Sequence, residues 1–361
     1  MIDGHNDLPW AMRERYGYDF DRCDIAERVH GLHTDIPRLR AGGVTGQFWS
    51  VYVPSTLSGG DAVSATLEQI DFVHRMIDRY PDTFVNAGCA AECAAAHREG
   101  RIASLIGVEG GHSIDESLAV LRMLHRLGAR YMTLTHNDNT PWADSATDEP
   151  VLRGLSSFGE SVVAEMNRIG MMVDLSHVSA DVMRHALRVT AAPAIFSHSS
   201  ARAVCDVPRN VPDDVLSALT ANGGVCMVTF VAEFVSPDWA DWMKGIYATM
   251  TERGLDARDF DLYDLVAAQR ATEQTEPVAT IADVVAHIEH VRDVAGLAHV
   301  GIGGDFDGCS NLPIGLGDVG GYPALFAALR DRRWSDSDIA ALQRDNILRV
   351  MHDVERVASA Q

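Results

Sequence analysis

The chain has 361 residues, 47% of them hydrophobic, and a formal net charge of −21. That length suits two average domains or one large α/β barrel with a sizeable core. The acidic balance excludes nucleic acid as a partner, because phosphate binding needs a basic surface; no apolar run approaches the roughly 18 residues of a membrane span, and no basic segment followed by an apolar stretch opens the chain.

In chain order, residues 1–5 predict a very short first strand. Strand-like apolar runs follow at 44–53, 102–108, 130–135, 171–176, 193–197, 224–230 and 298–303. Helical periodicity fills the intervals. At 65–80, Leu67, Ile70, Val73 and Ile77 recur at steps of three and four, which marks one apolar helix face. Similar stretches lie at 115–127, 157–169, 179–189, 213–221, 281–294 and 335–351. Eight strand–helix units predict an α/β fold with the parallel sheet closed as a (β/α)8 barrel, one domain over 1–361. An open doubly wound sheet is the rival, but no Gly-x-Gly-x-x-Gly follows an early strand. Residues 231–280 break the rhythm with Trp239, Trp242, Tyr247 and Tyr263. They predict a partly helical insertion between strand candidates seven and eight, a lid or a dimer contact.

The six cysteines, Cys23, Cys89, Cys93, Cys205, Cys226 and Cys309, contain no Cys-x-x-Cys pair. They read as free thiols in a reducing compartment. A cytoplasmic protein without a membrane anchor is expected.

His5-Asn6-Asp7 places an imidazole and a carboxylate two residues apart, which on a strand is one face. Glu109, His136, His177 and His198 each follow a strand candidate, and Asp305 with Asp307 follows the last. The strand ends of a barrel converge on one rim, so these side chains are expected together. A His-x-Asp, a Glu and two further His make five ligands, too many for one tetrahedral zinc with an open position. They suit two ions sharing a carboxylate with a hydroxide between them. Imidazole with carboxylate favours zinc, and manganese or cobalt also fit. The single lysine, Lys244, lies outside every strand candidate, so the shared ligand is an ordinary carboxylate. Glu109 in Gly-Val-Glu-Gly-Gly is the best placed, its glycines leaving room beside the backbone. His30, His33, His112, His125, His185, His287, His290 and His299 read as structural or exposed.

Long ordered motifs carry a resemblance. DGHNDLPW at 3–10, GQFWSVYVP at 46–54, GVEGGHSI at 107–114, YMTLTHNDNTPWADS at 131–145, MVDLSHVS at 172–179, IFSHSSARAVC at 195–205, PRNVPDDVL at 208–216 and HVGIGGDFDG at 299–308 resemble the membrane (renal) dipeptidase family, the M19 metallopeptidases of the amidohydrolase superfamily. The likeness covers nearly the whole chain apart from much of 231–280. It implies a zinc dipeptidase with two Zn2+ per chain, bridged by Glu109 and a hydroxide or water. His5 and Asp7 would hold one ion, and His177 and His198 the other. His136 would stabilise the oxyanion at the scissile carbonyl. Asp305 would bind the free α-amine and move the proton to the leaving nitrogen. Arg209 would pair with the C-terminal carboxylate, Tyr52 would contact substrate, and Asp307 would orient its neighbours. The resemblance also implies dipeptide substrates of L-Xaa-L-Xaa and L-Xaa-D-Xaa type, and a homodimer. Because His5 lies so near residue 1, its ion is expected to be the more labile.

A competing reading is another amidohydrolase-type C–N or lactone hydrolase acting on a small zwitterionic or carboxylate substrate. Arg209 and Asp305 favour the dipeptidase, since a cation and a carboxylate suit the two ends of a zwitterion.

Overall fold

The computed structural model describes residues 1–256 and 260–360. Nine strands form one sheet: β1 (Ile2–Asn6), β2 (Gly46–Tyr52), β3 (Phe84–Asn86), β4 (Ile102–Glu109), β5 (Ala129–Thr133), β6 (Met172–Asp174), β7 (Ile195–Phe196), β8 (Val225–Val228) and β9 (Val300–Ile302). Eight of them run parallel in the order β1-β2-β4-β5-β6-β7-β8-β9. The two ends of that row meet at a parallel bridge between Asn6 and Phe306, where the Asp7 N–H donates to the Phe306 carbonyl at 2.9 Å. With helices between successive strands, this is a (β/α)8 barrel, as expected.

β3 lies off the barrel path. It pairs with Ile102, Ala103 and Ser104 of β4, while β5 pairs with β4 from Ile106 onward. Three residues are too few to show a strand period, so sequence patterning missed it.

Alternation along the strands decides what enters the barrel. On β4, Ala103 and Leu105 belong to the inner apolar cluster, whereas Ile102, Ile106 and Val108 pack with the helices. The same parity turns Gly107 and Glu109 inward. On β2, Phe48 is inner and Trp49 and Val51 are outer, so Ser50 and Tyr52 point the way of Phe48. The inner cluster also takes Met172, Ile195 and Val225 from later strands, and Ile347, Val350, Met351 and Val354 from the helix Asn346–Ser359. Those four recur at helical spacing, so one face of the C-terminal helix plugs the barrel. Polar inner positions at the opposite end form the site.

β1 is short but all five residues are buried. The Met1 ammonium donates to the Gly43 carbonyl at 2.7 Å, and the Thr45 N–H donates to the Met1 carbonyl at 2.8 Å. Between β8 and the helix Ile281–Ala295 come three helices, Ala232–Val235, Pro237–Glu252 and Phe260–Glu273. Trp239, Trp242, Met243 and Ile246 of the second are buried, and the Arg270 guanidinium lies 4.9 Å over the Trp242 ring. Residues 257–259 of the 231–280 segment lie outside the described residues. The cysteines are all free, and no described helix is long and apolar enough to cross a membrane.

Candidate active site

Glu109 ends β4 and points inward at the rim. The Ser50 hydroxyl, on the neighbouring strand, donates to Glu109 Oε2 at 2.8 Å. That oxygen lies 3.3 Å from His5 Nε2, and His5 Nε2 lies 3.2 Å from Asp7 Oδ2. The other oxygen, Oε1, lies 3.0 Å from His177 Nε2, 3.6 Å from His198 Nε2 and 3.7 Å from His136 Nε2. One carboxylate therefore faces two groups of ligands, one through each oxygen. The structure brings together all five residues proposed to hold metal, with His136 and Asp305 beside them.

Sequence reading put these ligands at strand ends. Glu109 is one, and His5 lies within β1. Asp7 follows β1 directly, and His136, His177, His198 and Asp305 sit two or three residues past β5, β6, β7 and β9, because the chain must turn before it can aim a side chain back across the rim. Left-handed backbone makes two of those turns, at His177 (φ 69°) and Asp305 (φ 60°). That conformation costs of order 1 kcal/mol outside glycine and has to be held by its surroundings. The His177 carbonyl accepts from the Ala146 N–H at 2.7 Å. The Asp305 N–H donates to the His5 carbonyl at 3.2 Å, and the Asp305 carbonyl accepts from the Gly308 N–H at 3.3 Å. The His136 loop is fastened by Ser145, whose hydroxyl donates to the His136 carbonyl at 2.6 Å. Buried Asp144 accepts the N–H groups of Val151, Leu152 and Arg153 farther along that loop.

The donor set fits divalent cations. His5 Nε2, Asp7 Oδ1, His136 Nδ1 and His177 Nδ1 are buried and have no hydrogen-bond partner. His177 Nε2 and His198 Nε2 lie 2.9 Å apart, a spacing that needs a proton or a cation between two lone pairs. Burial pushes His177 and His198 well below the usual histidine range, leaving them neutral. Burial also favours neutral Glu109, but the surrounding histidines, His5 foremost, override it and hold the carboxyl well below its usual range. Neutral His177 and His198 beside an ionised Glu109 are in the form in which such residues bind zinc.

Around this cluster stand the substrate candidates. Burial pushes His136 down to about 4, so it is neutral at physiological pH and has one ring N–H to donate. Arg209, only 4% exposed, lies 5.2 Å over the Phe234 ring and leaves Nη1 unpaired. Burial lowers its pKa to about 10, with the charges of Asp305 and Glu109 opposing the drop, so it stays cationic. Asp305 is raised well above the usual carboxylate range by burial, with the neighbouring Asp7 and Glu109 charges adding to the rise. Tyr52 ends β2 with its ring 4.8 Å from that of His136 and 4.9 Å from Trp10.

Two supporting residues escaped the sequence reading. Ser50 was not singled out, although its two-residue spacing from Tyr52 put it on the same face. His33 read as structural or exposed, and it has a specific part: its backbone N–H donates to Asp307 Oδ1 at 2.7 Å, and its ring Nδ1 accepts the Asp307 backbone N–H at 3.0 Å. It thereby clamps the loop that carries Asp305. His287 is structural, accepting the Ala201 N–H and donating to the Val235 carbonyl.

The family model of the membrane dipeptidases (peptidase family M19) matches residues 1–361. The chain belongs to that family. Proteins with similar sequences include dipeptidase 3 of mouse (Mus musculus), 40% identical over 99% of this chain and 65% of the mouse protein. Dipeptidase verJ of Clonostachys rogersoniana is 42% identical over 99% of this chain and 85% of its own length. The chain thus spans about 65% of the length of the mouse relative. Among solved structures, a metallo peptidase from Rhodobacter sphaeroides, liganded with a phosphinate mimic of the dipeptide L-Ala-D-Ala, has the same fold, with a TM-score of 0.80, 24% identity and 98% of each chain covered.

Proposed function

We propose that this M19 family member is a dinuclear zinc dipeptidase that cleaves L-Xaa-L-Xaa and L-Xaa-D-Xaa dipeptides. The observation that carries the reading is Glu109, buried among the site residues near Arg209 and Asp305, whose Oε2 faces His5 and whose Oε1 faces His177 and His198. One ion would be held by His5, Asp7 and Glu109, the other by His177, His198 and Glu109. When bound, the ions supply Lewis acidity, which activates water near neutral pH and polarises the carbonyl.

The chain's own residues do the rest. Arg209 receives the substrate carboxylate, for which a planar guanidinium in a dry pocket is well suited. Asp305 holds the α-amine and passes a proton to the leaving nitrogen, a task a carboxyl of raised pKa can perform. Neutral His136 donates its ring N–H to the developing oxyanion. Tyr52 walls the pocket beside His136. Reading both termini of the substrate limits it to dipeptide length. That separates this proposal from a lactonase or another amidohydrolase, which has no need of opposite charges on its two sides.

Metal analysis of the purified chain should find two divalent ions per chain; one or none overturns the dinuclear reading. Arg209→Met should raise KM at least tenfold for free dipeptides and much less for their C-terminal amides. Equal losses on both would remove Arg209 from carboxylate recognition.

A further inference from the structure

Two of the histidines in the site have a hydroxyl behind the ring, and the two hydroxyls are not equivalent. His5 Nδ1 lies 2.9 Å from the Tyr131 hydroxyl, and that hydroxyl lies 3.1 Å from the Gly4 carbonyl oxygen. A carbonyl oxygen only accepts, so the phenol proton goes to Gly4 and the phenol oxygen accepts from His5 Nδ1–H. The tautomer follows. Nδ1 carries a hydrogen, so Nε2, which lies 3.2 Å from Asp7 and 3.3 Å from Glu109, is the nitrogen left to take a cation in place of a proton.

The barrel is built to let this phenol through. Tyr131 is fully buried inside it. β4 and β5 pair with Ile106 opposite Ala129 and Gly107 opposite Tyr131, so β5 has one extra residue, Arg130, at that point. Such a slip re-aims the side chain that follows it. The re-aimed ring crosses directly over Gly107, where a Cβ would lie 2.0 Å from the Tyr131 Cζ and 2.4 Å from its hydroxyl oxygen. No residue larger than glycine leaves room for the phenol to reach His5.

Behind His198 the arrangement differs. His198 Nδ1 lies 2.8 Å from the Ser197 hydroxyl, which lies 2.5 Å from Asp174 Oδ2. Asp174 Oδ1 also accepts the N–H groups of Ser176 at 3.1 Å and Ser197 at 2.9 Å. His5 is thus backed by a neutral phenol tied to the backbone, and His198 by a hydroxyl tied to a carboxylate.

We infer that Tyr131, admitted by Gly107, is a positioning residue for His5 and sets the affinity of the ion that His5 and Asp7 hold, while Ser197 with Asp174 does the same for the His198 ion. This rests on the dinuclear reading above. Tyr131 touches neither ion nor substrate; it acts through the imidazole.

The test is a zinc titration of metal-free protein against a competing chelator, repeated with Co2+ to follow its visible spectrum. Tyr131→Phe removes one oxygen and should weaken one of the two ions ten- to a hundredfold, the usual effect of losing such a partner, while leaving the other unchanged. Gly107→Ala should do the same by displacing the ring. Ser197→Ala should weaken the other ion. In a His5→Ala background, Tyr131→Phe should have no further effect; in a His198→Ala background, its full effect should persist. A general loosening of the barrel would instead weaken both ions together and survive the loss of His5. Either that pattern, or wild-type affinity for both ions in Tyr131→Phe, overturns the inference. A wild-type chain that takes up a single ion overturns the dinuclear reading separately, and the His5 background then shows whether Tyr131 serves that ion.

Discussion

Glu233 offers a prediction whose size comes from the fold. It lies on the short helix Ala232–Val235 beside Arg209, on the segment after β8, and its side chain is partly exposed. Burial raises its pKa from 4.5 to about 7, with the Arg209 charge pulling the other way. At about 1.4 kcal/mol per pH unit, that displacement corresponds to roughly 3 kcal/mol. Water reaching the carboxyl makes this an upper value. The folded pKa lies above the unfolded one, so the folded protein keeps the proton longer. The stabilisation is complete below about 4.5 and is lost as pH rises through about 7. Glu233→Gln is neutral at every pH and escapes the loss. Urea denaturation of the metal-free wild type and variant should therefore give similar stabilities at about pH 4.5, with the variant gaining up to roughly 3 kcal/mol by about pH 9. Taking the difference cancels the site histidines, which both proteins share. A stability difference that does not change with pH would refute the argument, because it would mean that Glu233 titrates as an exposed carboxyl.

Two other substitutions probe separate links. Asp305→Asn should abolish turnover of dipeptides while metal content stays at the wild-type level; near-normal kcat would exclude Asp305 from proton transfer. Asp35 is fully buried and accepts the Arg38 N–H, the Arg38 Nε–H and the Val29 N–H at 2.9, 2.8 and 3.0 Å. Asp35→Ala strands the buried Arg38 charge, for which Asp318 at 3.6 Å is a distant substitute, and should cost about 3 kcal/mol in denaturant unfolding. A loss below about 1 kcal/mol would show that Arg38 finds water or another partner.

The barrel was legible because strands covered on both faces read as continuous apolar runs, and because chemically distinctive residues recur just beyond them. Strand lengths were not. The run at 193–197 is apolar from Pro193 to Phe196, yet only Ile195–Phe196 pair, since burial in the loops around a barrel rim also selects apolar residues. The helices Leu8–Tyr16 and Tyr322–Asp331 were missed; the first spends a buried face on Leu8, Pro9, Ala11 and Met12 and has little period to detect. The candidate metal ligands could be read individually, because histidines and acids after apolar runs stand out. The residues that hold them could not. Ser50, Tyr131 and Ser197 are common residue types, and Tyr131 reaches His5 only through a one-residue slip between β4 and β5, a property of pairing that one strand's sequence does not contain.

The joint that closes the barrel has a consequence for how the protein comes to exist. Asn6 and Phe306 are the bridge between the first and last strands, and His5, Asp7 and Asp305 are its immediate neighbours. No pair of barrel strands is farther apart along the chain than these two, so this contact carries the greatest loop-closure cost and belongs late in folding. A species open at this seam can keep β1 beside β2 and β4, but it lacks Asp305 beside His5 and Asp7. Asp305 would then complete the site only when the ring closes, whereas divalent ions would stabilise by mass action any species in which β1 to β7 are already in place.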